Sequence, residues 1–128
     1  MTAAILSTEN QAWGFWGTMS RLETAMPVDT GAAWELAYAA IGEATGLDTN
    51  AIRAFLDSRY GRHFADDIAS EIVSGQDLTD AIAVATTRWM NWSISRRTSR
   101  ETGIPAGLPY LTGFAMHAEI EAEAEAAD

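Results

Sequence analysis

The chain has 128 residues, a net charge of −10 and no cysteine, and 48% of its residues are hydrophobic. That length accommodates one domain with a real core, and the hydrophobic share argues against a disordered chain. The lack of cysteine excludes disulfides, thiolate zinc sites and cysteine nucleophiles.

No stretch reaches the roughly 18 apolar residues that a membrane span needs. The opening MTAAILSTEN lacks a basic region and a long apolar run, so no signal peptide and a cytoplasmic location are expected. All eight cations are arginine. Acids crowd the end (Glu119, Glu121, Glu123, Glu125, Asp128), whereas residues 81–100 hold Arg88, Arg96, Arg97 and Arg100 and no acid.

The apolar spacing predicts helices throughout, with no strand and no internal repeat. Ser7 or Thr8 caps a first helix over 8–25, and MPVDTG breaks the chain after it. Asp29 or Thr30 caps a second over 31–45, stopped by Gly46, and Asp48 or Thr49 caps a third over 50–60, stopped near Gly61. A fourth over 62–74 buries Phe64, Ile68 and Ile72 and exposes His63, Asp66, Asp67, Ser70 and Ser74. Asp77 caps a long fifth over 78–101. Its apolar residues form two stripes, Leu78, Ala81, Ile82, Ala85, Trp89 and Trp92 on one side and Ala83, Met90 and Ile94 on the other, as in a central helix. GIPAGLPYLTG interrupts regular structure, and a last helix starts near Pro109. The expected fold is all-α: a compact single-domain bundle of five to six helices around a central helix at 78–101. Residues 1–116 form the helical domain and 117–128 a frayed acidic tail, because its glutamates oppose helix by like-charge spacing and by the dipole.

AWGFWGTM places Gly14 and Gly17 inside the first predicted helix, each at a cost of about 1 kcal/mol relative to alanine. Close approach of another backbone offsets that cost. The backbone belongs either to the same chain, with GIPAGLPYL as the expected partner, or to another protein, with Trp13 and Gly17 as the contact. Two further groups complete the candidate partner-binding set. Asp66, Asp67 and Glu71 form an acidic surface for basic residues of a partner, and Arg96, Arg97 and Arg100 form an arginine hand for carboxylate or phosphate. His63, Asp67 and Glu71 share a helical stripe, but one helix alone does not close a metal site, and no catalytic, metal or cofactor residues are assigned. Two helices joined at RYGR raise a helix-turn-helix, opposed by the acids on the second helix.

ENQAWGFWGTM, FLDSRYGRHFADDI and GIPAGLPYLTGF together resemble short accessory proteins encoded on bacterial conjugative plasmids and genomic islands. The resemblance implies a mobile genetic element as the setting and carries over no catalytic residue. The expected function is a non-enzymatic protein-binding module, an inhibitor or accessory factor that occludes a nucleic-acid-binding host complex. The alternative is a DNA- or RNA-associated regulator using the arginine cluster, which the acidic balance disfavours. A homodimer would also use the first helix.

Overall fold

The computed structural model describes residues 14–127, among which there are seven α-helices and no strand. They are α1 (Phe15–Glu23), α2 (Thr30–Thr45), α3 (Thr49–Asp57), α4 (Arg59–Val73), α5 (Leu78–Asn91), α6 (Arg96–Thr102) and α7 (Tyr110–Ala127).

Local chemistry sets the boundaries. The carboxylates of Asp29, Asp48 and Asp77 accept from the backbone N–H groups of Ala32, Ala51 and Asp80, so each aspartate caps the helix it precedes. Gly46 closes α2 in the left-handed conformation, at φ 70°. Between α3 and α4 there is no loop. Ser58 ends one helix and starts the next, donating its hydroxyl to the Phe55 carbonyl at 2.7 Å and accepting from Tyr60 and Gly61 N–H. Gly61 therefore lies inside α4 instead of stopping α3. A Cβ there would collide with the carbonyl oxygens of Phe55 and Leu56.

Gly14 answers to the same corner. It is the N-cap of α1, and a Cβ on it would lie 2.6 Å from the Leu56 carbonyl oxygen and 2.9 Å from that of Asp57. At Gly14 the close-approaching backbone is this chain's own, the end of α3 and not the GIPAGLPYL segment.

The expected single helix at 78–101 is two helices. α5 ends at Asn91 and Trp92 turns extended (φ −78°, ψ 134°). Ser95 then caps α6 by accepting from the Thr98 N–H. Between them Ser93 pairs with Pro109, Ile94 N–H donates to Leu108 and Gly107 N–H donates to Ile94. GIPAGLPYLTG is the return limb of this closure. It seats Ile94 and Ile104 in the core, against Gly113. The count accordingly exceeds the five or six helices expected, and α5 is not wrapped on all sides, because Ala83 and Thr87 are exposed.

α4 packs on α1, α3 and α5, while α7 packs on α3 and α5. Phe64 of α4 is fully buried where these meet, with Phe15, Phe55 and Trp89 at ring-centroid distances of 6.5, 5.7 and 5.3 Å. Most of these rings meet edge to face, the arrangement that the ring quadrupole favours. From Trp89 the aromatic cluster continues to Tyr110, Phe114 and Tyr60. α7 runs through residue 117 without a break and carries the glutamates to Ala127. No helix among the described residues is long and apolar enough to cross a membrane.

Candidate interaction surface

The richest surface lies along the seam of α4 and α5 and is built by two polar ties. Asp67, on the polar side of α4, accepts from the indole N–H of Trp89 at 2.6 Å. One turn on, Glu71 pairs with the Arg88 guanidinium at 3.0 Å. Both acids therefore face α5 and already have intramolecular partners. Asp66, one residue earlier, is exposed. The acidic triad expected to act together is divided by the helical period into two seam residues and one outward residue.

Trp92 sits at the end of this seam and is 47% exposed. Sequence periodicity places it on the buried stripe with Trp89. Because α5 stops at Asn91, Trp92 leaves the helical wheel and its ring turns outward. The signal was present in NWSIS, where serines able to cap a new helix follow the tryptophan. The ring is held edge-on to Tyr110 at 5.6 Å and 87°, and the Trp92 carbonyl accepts the Tyr110 N–H. Burial first, and then Tyr60 and Asp67, push the Tyr110 phenol above its ordinary value. A shallow groove of about 540 Å³ runs back from Trp92 along α5, lined by Ala83, Val84, Thr87, Arg88 and Asn91.

The arginine cluster follows on α6. Arg96, Arg97 and Arg100 are all exposed, and Arg97 pairs with Glu101 at 3.2 Å on the same helix. α6 buries no residue. Because α5 breaks at Trp92, these arginines do not stand on a continuation of that helix. Gly17 is half-buried within α1, and Trp13 lies outside the described residues. His63 is exposed, and no three His, Asp or Glu side chains among the described residues group closely enough to hold a metal. The corner at Ser58 is also too tight for a helix-turn-helix, whose turn spans three or four residues.

No family model, no curated protein and no solved structure matches this chain.

Proposed function

We propose that this chain is a non-enzymatic protein-binding module that engages its partner through Trp92 and the groove on α5. The carrying observation is the exposed indole itself. Trp92 is a large apolar ring, 47% exposed, held in one orientation by Tyr110 and flanked by Arg88. Tryptophan, tyrosine and arginine are the residue types enriched at interface hot spots, and a ring already fixed in place loses little entropy on docking. In the setting of a mobile element, the partner is a nucleic-acid-handling protein complex. Binding there blocks it sterically, as an inhibitor or accessory factor would.

The exposed Trp92 beside arginines also favours a nucleic-acid reading, which the charge balance weighs against. Arg88 is paired with Glu71 and Arg97 with Glu101, which leaves Arg96 and Arg100. Two phosphate contacts give a salt slope of about −2, a small electrostatic gain for a chain whose net charge is −10.

The test is affinity purification of the full chain from its own host, with a nuclease wash, beside Trp92→Ala. We expect one stoichiometric protein complex, lost with the variant, while its melting temperature stays within a few degrees of the parent. Recovery that the variant leaves intact overturns the Trp92 site. Recovery that the nuclease abolishes, together with a steep salt slope on oligonucleotides, supports the nucleic-acid reading instead.

A further inference from the structure

A second surface lies on α3 and α7. The two helices pack against each other, and a groove of about 310 Å³ runs between them. Its apolar lining is Ala54, Ala122 and Ala126, and its polar lining is Asn50, Arg53, Asp57, Glu119 and Glu123. The core face of α7 is Leu111, Phe114, Ala115 and Ala118. Away from that face, Met116 is 39% and Ile120 is 61% exposed, with exposed Ala124 one further turn along. A helix with apolar residues on two sides has a face to bury. By the helical period Glu119 and Glu123 stand between this ridge and the groove, and Glu121, on its other flank, lies 3.0 Å from the His117 ring nitrogen.

We infer that the α3–α7 face docks a cationic amphipathic helix of a partner protein, whose apolar side covers Ile120 and the alanine-lined groove while its basic flank meets Glu119 and Glu123. Charge complementarity selects this occupant. A second copy laid on the same face would set glutamate against glutamate, and like-charge juxtaposition opposes that pairing. The acids are crowded without it. Desolvation first, and then Asp48 and Glu123, hold the Glu119 carboxyl above its ordinary value, and a cation docked beside it would oppose the part due to those two acids. Laying an amphipathic helix in an apolar groove is an established mode of recognition, read through anchors at helical spacing. This surface is independent of the one at Trp92.

The probe is a synthetic helical peptide with leucine on one face and lysine and arginine flanking it, titrated into the full chain by fluorescence anisotropy. Two control peptides are used: the same apolar face with glutamate flanks, and the same composition with its amphipathic order scrambled. We expect binding by the first peptide alone, weakened about tenfold or more by Ile120→Lys. Glu119→Gln with Glu123→Gln weakens it too. Salt raised from about 0.01 M to about 0.15 M, which shortens the Debye length from about 30 Å to about 8 Å, weakens it further. Trp92→Ala leaves it unchanged. Ile120 is exposed, so its variant keeps the parental melting temperature. Equal binding of the scrambled peptide, no binding of the first peptide, or indifference to Ile120→Lys overturns the proposal. So does a concentration-dependent dimer of the free chain, seen by sedimentation and abolished by Ile120→Lys, because the occupant would then be a second copy.

Discussion

At the scale of single residues, the end of α3 imposes its own demands. Gly14 and Gly61 both leave room for its carbonyl groups, and those groups belong to backbone that does not move aside cheaply. We therefore expect Gly61→Ala to lower stability by about 1–3 kcal/mol, the range of overpacking, although alanine favours helix by about 1 kcal/mol over glycine. Urea denaturation measures the difference, and a stabilised variant would show that α3 and α4 separate freely. Asp57 carries a different cost. Burial raises its carboxyl above the ordinary value of 3.8, against the opposing pull of Arg53. An acid whose folded pKa is raised binds its proton more tightly folded than unfolded, so its contribution is greatest below the ordinary value and is lost as pH rises through the folded one. Asp57→Asn should accordingly melt at higher temperature than the parent at pH 7, with the gap closing below about pH 3.8. A gap that widens in acid would reverse the sign and place Asp57 in a stabilising ion pair.

At the scale of elements, the caps explain what could be read in advance and what could not. Asp29, Asp48 and Asp77 each have one task, to accept from a backbone N–H, and aspartate before an apolar-periodic run announces it. The starts of α2, α3 and α5 were legible for that reason. Ser58 has two tasks, because it must donate to the α3 carbonyl as well as accept from α4. Local periodicity does not show which residue makes that joint, so the glycine three residues on reads as the stop in place of Ser58. Ser58→Ala should cost about 1–2 kcal/mol, and Ser58→Asp should fail to restore it, since a carboxylate accepts but does not donate. Full rescue by aspartate would mean that the bond to Phe55 contributes nothing. The break at Trp92 escaped for a tertiary reason. The pairing of Ser93 and Ile94 with 107–109 crosses a stretch of chain that a window of helical spacing does not see. The candidate site was legible in part. Asp67 and Glu71 were found by their shared face, but their partners on α5 and the exposure of Trp92 follow from packing between helices.

At the scale of the whole molecule, charge is distributed by position along α7. That helix starts at Tyr110, against Trp92 and close in sequence to the arginines of α6, and carries Glu119, Glu121, Glu123 and Glu125 about 14–23 Å further on at 1.5 Å per residue. Four of the chain's 18 acids thus stand together on the second half of α7, in a chain whose net charge is −10. Screening should relieve this self-repulsion, so added salt is expected to raise the melting temperature by a few degrees. A fall would show that ion pairs such as Glu71–Arg88 outweigh it.

The closure at Ser93–Pro109 has one more consequence. The chain leaves the core at Ile94 and returns at Ile104 and Leu108, and its two limbs are hydrogen-bonded to each other at the base. Everything from Ser95 to Gly103 hangs outside that knot and buries no side chain of its helix. It is a detachable handle. A lineage could lengthen, shorten or recharge it without renegotiating a single core contact, so the arginines can be retuned to a changing partner while the fold beneath them stays the same.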